Sequence, residues 1–469
     1  MKKIFLYIFI VLSLITTIEA KKNDYMEKIV KLWSLKTNGI LEFNTTKTKD
    51  GYNLVILSKD PNYKDLFNKK PVKIVVDEGP IITKPHFTLG SAGLVSKGSI
   101  FDILNPQLVD NARKKLKTLP QYNYEATVSF SNDYESKFEI EPLIIDDKTI
   151  KFELSKITSI SSYNLDSFTG KESINIDKII LKPKKTPNRK VDDEILSLSK
   201  IKFTSNATQE PIDDIMLFIK SDFKVDDVTL NTKDRSGKRV YTKFSFEFKG
   251  DSIRVDRELL DLNMQYNFKA LDEKTIALAK GVKESKLILN FKNLGISGVV
   301  EFIKLSQKMK EINNRLLEAS KKGDDVEIQK AIIESQEIAN EIIPIWNKTF
   351  LTNKSEVLLD LELLSDKTSY IKLDFIYKGK PLSGNLQSAM LSLMAQQITL
   401  FDGKFDIAVD SNLATSINPF ALMGLDLLKA KGFVDVKNGI YYLKGELKSG
   451  KIIIKGKAYT LPELTKALF

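Results

Sequence analysis

The chain of 469 residues contains no cysteine and a single histidine, His86. The first absence removes thiol nucleophiles and disulfide staples, and the two together remove nearly every zinc-binding pattern. A triad hydrolase would have to recruit His86, yet no G-x-S-x-G elbow presents a serine. No glycine-rich turn feeds a helix with lysine and a hydroxyl residue, since Ser236-Gly237-Lys238-Arg239 sits where a hairpin turn belongs. Calcium loops of the D-x-D-x-D-G type are missing as well. The net charge is +11, but its lysines are scattered over almost every segment as a solvated surface. Zinc-finger spacings, aromatic RNP-like strands and basic recognition helices are lacking, which argues against nucleic acid as a partner. No metal, no cofactor and no catalytic residue is indicated, so the expectation is a protein that is not an enzyme.

What is present begins with Lys2 and Lys3, followed by an unbroken apolar run from Ile4 to Leu12 that continues to Ile18 and ends at Glu19-Ala20-Lys21-Lys22. Its length of about 15 residues fits a signal-peptide core and falls short of the roughly 20 needed to span a bilayer. Residues 1–20 therefore read as a signal peptide cleaved after Ala20 or as an N-terminal anchor, Lys21 and Lys22 suiting the latter. Either way the remainder is expected in the periplasm, soluble or held at the inner membrane. Ala389 to Leu400, the nearest rival for a span, is interrupted by Ser392, Gln396 and Gln397.

Hydrophobic residues make up 42% and charged residues 28%, the balance of a folded body that excludes a multi-span membrane protein. Single cores stop growing near roughly 250 to 300 residues, so two domains or one elongated sheet are expected. Tyr25 to Leu35 has helical spacing. Strands are predicted at Ile40–Phe43, Tyr52–Leu57 and Val72–Val76, with a turn at Asp50-Gly51. Asn105-Pro106 reads as the cap and first residue of a helix ending near Pro120. From Gln121 the period becomes two over a long distance, through Phe130, Phe138 and Phe152 and again through Phe244, Phe246 and Phe248, the mark of an antiparallel meander with one dry face.

Ile296 to Asn347 breaks this pattern with two apolar stripes around Lys322-Gly323-Asp324, an inserted αα-hairpin whose second helix Pro344 should kink or end. Strands return at Val357–Leu364 and Tyr370–Tyr377, and a helix is predicted around Leu386–Ile398. Asn418-Pro419 reads as the start of a helix ending at Gly432. A closing meander turns at Asn438-Gly439 and Ser449-Gly450. The expected organisation is α+β, mainly long antiparallel β-sheet, elongated or two-lobed, with a few capping helices. Its divisions are 21–295 (β domain with short helices), 296–350 (hairpin) and 351–469 (α+β, closing in a β-meander), and the boundary near 295 is soft.

The apolar segment before Lys21-Lys22, the strand ending Val75-Val76-Asp77-Glu78-Gly79-Pro80 and the terminal Gly450-Lys451-Ile452-Ile453-Ile454-Lys455-Gly456-Lys457 together resemble the YdgA-like family of periplasmic bacterial proteins of unknown function. The resemblance implies an inner-membrane-associated or periplasmic protein and supplies no catalytic residues. Gly79-Pro80 reads as a rigid turn leaving a strand, and Gly456 as a hairpin position with positive φ.

The functional expectation is an exported binding or scaffold component of the cell envelope. Phe130, Phe138, Phe152, Phe244, Phe246 and Phe248 form a candidate face for an apolar ligand such as lipid, weighed against the same rings simply filling a core. One rival is a hydrolase of envelope polymers using a Ser-Lys dyad or a carboxylate pair, drawn from Asp146-Asp147, Asp192-Asp193-Glu194, Asp213-Asp214 and Asp226-Asp227. Another is a structural partner of an envelope complex, or a homo-oligomer, docking through the helical hairpin.

Overall fold

Met26, Ile29, Leu32 and Trp33 recur every three to four residues, and the helix they specify, α1 (Asp24–Lys36), buries all four completely. These coordinates are a computed structural model. It describes residues 24–468 except 38–39, 59–65, 69, 84–87, 107–109, 111–112, 114–115, 117–118, 147–149, 184–195, 234–238, 385 and 397–398. The N-terminal segment, His86 and the 234–237 turn lie outside the described residues, as does most of the helix expected after Asn105-Pro106. The protein is α+β and mainly antiparallel sheet. The chain divides into two compact units, Met1–Asn231 and Thr232–Phe469.

In the first unit α1 is followed by β1 (Leu41–Thr48), β2 (Gly51–Ser58), β3 (Val72–Thr83), β4 (Thr88–Ser99), the single turn α2 (Ile100–Ile103), β5 (Gln121–Ser129), β6 (Asp133–Ile140), β7 (Leu143–Asp146), β8 (Ile150–Leu154), β9 (Ile157–Asn164), β10 (Gly170–Pro183), β11 (Leu196–Ala207) and β12 (Ile219–Lys233). β1 to β6 pair in sequence, β6 then pairs with β9, and β9, β10, β11 and β12 continue the sheet, every pairing antiparallel. The β7–β8 hairpin joins through β8 to the end of β10.

Strict alternation puts Tyr124, Val128, Tyr134, Phe138, Ile157 and Ile176 on the inner face, where all are buried. Burial of each such side chain contributes about 1.5–3 kcal/mol. Trp33 meets Phe43 edge-on at 6.2 Å, so α1 belongs to this core. Three ion pairs fix the helix further, Lys28 to Asp166 at 2.6 Å, Lys31 to Asp214 at 2.9 Å and Lys36 to Glu172 at 3.3 Å.

Gly79-Pro80 does not end its strand: β3 runs on to Thr83, and the register against β4 shifts between Glu78 and Ile81. A bulge accommodates proline because the residue there is released from the ladder and needs no N–H.

The second unit contains β13 (Arg239–Arg254), β14 (Leu259–Ala270), α3 (Glu273–Leu278), β15 (Glu284–Gly295), α4 (Ile296–Lys322), α5 (Asp325–Thr349), β16 (Glu356–Leu364), β17 (Thr368–Tyr377), α6 (Leu386–Gln396), β18 (Phe401–Asp410), α7 (Ser411–Ile417), α8 (Ala421–Ala430), β19 (Asp435–Lys437), β20 (Ile440–Lys448), β21 (Lys451–Ile454), β22 (Lys457–Tyr459) and α9 (Leu461–Leu468). β13 to β18 pair antiparallel in sequence and β20 follows β18. The hairpin turns Asn438-Gly439, Ser449-Gly450 and Lys455-Gly456 all have positive φ at both positions, 78° at Gly456. The expected boundary near 295 falls inside this unit, at the β15–α4 junction.

Pro344 does not end α5, which continues to Thr349. Packing on its far side holds the last turn: Trp346 donates to the Tyr377 hydroxyl at 3.1 Å and lies tilted against Phe350, with ring centroids 4.4 Å apart. Asn418 closes an unexpected helix, α7, and the helix expected from Asn418-Pro419 to Gly432 follows it as α8, beginning at Ala421. The missed start is Asp410, whose carboxylate accepts from the Leu413 N–H at 3.3 Å.

Candidate functional site: the apolar face of the second unit

Directly opposed residues of antiparallel strands point to the same side of a sheet, so the registers determine which side chains share a face. Phe246 opposes Phe268, and Phe248 opposes Tyr266, which opposes Leu287 in turn. The rows then continue Leu287–Leu361–Ile371–Ile407–Leu443 and Leu289–Leu359–Leu373–Phe405. One face of seven strands, β13 to β18 and β20, is thereby predominantly apolar, with Ser252, Ser285 and Ser369 as its polar members toward the strand ends. At about 4.8 Å between neighbours it measures roughly 30 Å across the strands.

Its burial differs from that of the first unit. Phe246, Phe248, Leu287, Leu289, Leu359, Leu361, Leu373, Phe405 and Leu443 are all only half-buried. Full burial on this face comes near the strand ends, at Leu260, Tyr377 and Tyr441. The helices explain why: α4–α5 and α6 are inserted beyond one end of the strands, and α3 and α7–α8 beyond the other. α6 exposes Met390, Leu391 and Met394, and α8 exposes Met423 and Leu427.

The opposite face is a charge lattice. Asp360, Lys372, Asp406 and Lys444 oppose one another in one row, and Asp374, Lys404 and Glu446 in the next. Lys372 reaches Asp360 at 3.1 Å and Glu362 at 3.0 Å, and Lys444 reaches Asp406 at 2.7 Å. Hydrogen bonds donated to Glu362 and Asp360 raise the Lys372 pKa, and one donated to Asp406 raises that of Lys444, so both stay ammonium. An open depression of about 900 Å³ lies on these charged rows. Each carboxylate of the first row has a lysine beside it.

The six phenylalanines expected on one dry face are separated. Phe138 and Phe152 are buried in the first unit, where the core reading holds. Phe130 lies in the turn after β5 and is 64% exposed, beside a shallow depression of about 640 Å³ on the outer side of that sheet. Phe244, Phe246 and Phe248 alone lie on the half-buried face, with Phe244 against Phe268 at 5.2 Å and Phe248 against Tyr266 at 4.9 Å. Leucines of β15, β16 and β17 supply most of the rest, and sequence reasoning missed them because only the registers put them in line.

Among the described residues the carboxylate pairs do not converge. Asp213 and Asp214 form a turn with φ of 50° and 59°, and Asp214 meets Lys31 at 2.9 Å. Asp226 pairs with Lys224, while its neighbour Asp227 accepts from Thr229. Asp147 and residues 192–194 lie outside the described residues. A Ser-Lys contact does exist, Lys36 Nζ to Ser161 Oγ at 3.5 Å, but both are buried and Lys36 is paired with Glu172. Burial lowers the Lys36 pKa and the Glu172 carboxylate opposes that shift.

Among the described residues no cluster of three or more His, Cys, Asp or Glu is placed to hold a metal ion. No described helix is long and apolar enough to cross a membrane. No curated protein and no solved structure matches the chain. Residues 64–347, more than half of the chain, match the model of a bacterial protein family of unknown function, and the chain belongs to that family, DUF945.

Proposed function

We propose that this chain is an exported, non-catalytic envelope protein that holds an apolar molecule, the acyl chains of a lipid, against the open face of its second unit. The observation that carries this reading is the half-burial of the Leu287–Leu361–Ile371–Ile407–Leu443 row. The same alternation in the first unit yields a filled core, so vacancy is not a general consequence of the pattern. Covering roughly 400 Å² of apolar surface is worth about 10 kcal/mol at ~25 cal/mol per Å², enough to offset association costs of about 4–15 kcal/mol for part of that range. The lysine-led apolar segment from Ile4 to Ile18 and the YdgA-like features support a periplasmic setting, where such a ligand is at hand.

Lipids extracted from the purified chain and identified by mass spectrometry test the reading. Bound phospholipid or fatty acid is expected, and Leu289→Asp with Leu361→Asp should abolish it while the chain stays folded by circular dichroism. A folded native chain that carries no lipid and takes up no fluorescent fatty acid would sink it. Compartment is tested separately by alkaline phosphatase fused after the chain, which must be active in cells.

A second reading, a structural partner of an envelope complex, is favoured by the exposed Phe302, Leu317, Val326 and Ile333 of the α4–α5 hairpin. Photo-crosslinking from position 333 in cells tests it, and an uncrosslinked hairpin counts against it.

A further inference from the structure

Seven of the ten residues of α8 (Ala421–Ala430) are apolar, yet none of its residues is buried. Ala421, Leu422, Leu425 and Leu428 face inward and reach only half-burial. On the outer side Met423 is 70% exposed, Leu427 follows one turn later, and Phe420 and Ile417 at the α7–α8 corner are 74% and 54% exposed. A helix apolar on both its inner and outer sides normally lies within a core or against lipid. The corner is held in shape, since Asn418 Oδ1 accepts from the Phe420 N–H at 3.0 Å.

Three lysines and one acid stand on or beside this apolar corner. Lys280 Nζ lies against it, donating to the Ser416 carbonyl at 3.2 Å, and Lys429 and Lys431 close the helix. The sole acid of α8, Asp426, is engaged by the Tyr441 hydroxyl at 2.5 Å. An exposed apolar row rimmed by ammonium groups fits the interface of an anionic bilayer, where side chains enter the acyl boundary and each lysine contributes about 1 kcal/mol from the headgroups.

We infer that the α7–α8 corner, led by Phe420 and Met423, inserts into the surface of an anionic phospholipid membrane. This rests on α8 itself and not on the ligand of the sheet face. The absence of cysteine allows a direct test on the full chain: Met423→Cys carries an environment-sensitive NBD label, and Glu337→Cys on α5 serves as reference. With vesicles of phosphatidylethanolamine and phosphatidylglycerol the label at 423 should brighten, shift to the blue and be quenched by acyl-chain-brominated lipid, while that at 337 changes little. Phe420→Glu should remove the response with the thermal melt unchanged. Three results would overturn the inference: a label at 423 that stays water-exposed on chains floating with the vesicles, an equal response to phosphatidylcholine alone, or a blue shift that grows with protein concentration without lipid, which would assign the corner to a second copy.

Discussion

The Phe405 ring lies over Gly445, its directly opposed partner on the next strand, so closely that a Cβ there would stand 2.4 Å from the ring and 2.5 Å from the Ile453 carbonyl oxygen. Gly403 stands in the same relation to Phe375, its own opposed residue. The two rings therefore lie along the sheet instead of standing away from it, and they floor the apolar face of the second unit.

Gly445→Ala should accordingly destabilise the fold by about 1–3 kcal/mol, the usual cost of overpacking. Because the Ile453 carbonyl belongs to the backbone, shortening Phe405 as well should restore only part of the loss. Urea midpoints of the single variant and of Gly445→Ala with Phe405→Leu measure this.

Filled and open faces predict different costs for one kind of deletion. Leu54, fully buried in the first unit, should lose about 2–5 kcal/mol on replacement by alanine. Leu361→Ala on the half-buried face should lose about 1 kcal/mol, since little contact is forfeited. Hydrogen exchange of each unit reads both, and equal losses would mean that the second face is packed.

Lys36 and Glu172 are buried together, with Ser159 donating to Glu172 at 3.2 Å. Glu172→Gln strands the ammonium and should cost about 3–5 kcal/mol, whereas replacing both by apolar residues should cost much less. The sign of the pH response follows from the lowered Lys36 pKa. The unfolded chain binds the proton up to about 10.5 and the folded variant releases it earlier, so stability of Glu172→Gln should climb with pH through that window.

Tyr124, Tyr134 and Tyr163 have pKa values raised by burial, and Tyr163 is raised further by the Glu172 charge. Folded, they keep their protons above the ordinary tyrosine range near 10, and unfolded they lose them, so rising pH beyond 10 favours unfolding. Absorbance at 295 nm should show these three ionising together with loss of structure, later than exposed tyrosines.

Much of the architecture is legible in the residues. Period-two alternation marks the strands, and the stripes on either side of Gly323 mark a hairpin whose first helix ends there with φ of 67°. What alternation does not carry is whether a dry face is covered: Phe138 and Phe246 have the same local pattern and different fates, because burial depends on where distant helices fall. Capping chemistry at Asn418-Pro419 pointed to α8 within three residues of its start but not to α7, whose cap, Asp410, is also the last residue of a strand. Pro344 does not end α5, because tertiary packing around Trp346 outweighs one lost backbone bond. The candidate face was half visible, its phenylalanines in β13 standing out while leucines four strands away could be aligned only once pairing was known.

The two-faced character of the β13–β20 sheet also restricts its assembly. A slip of one residue in any pairing would turn lysines and carboxylates to the greasy side and strand leucines among the charges. Misaligned arrangements are thus penalised on both sides at once, and correct alignment needs no lid over the leucines to enforce it. A sheet of this kind is able to keep a broad oily surface in contact with water without surrendering its shape.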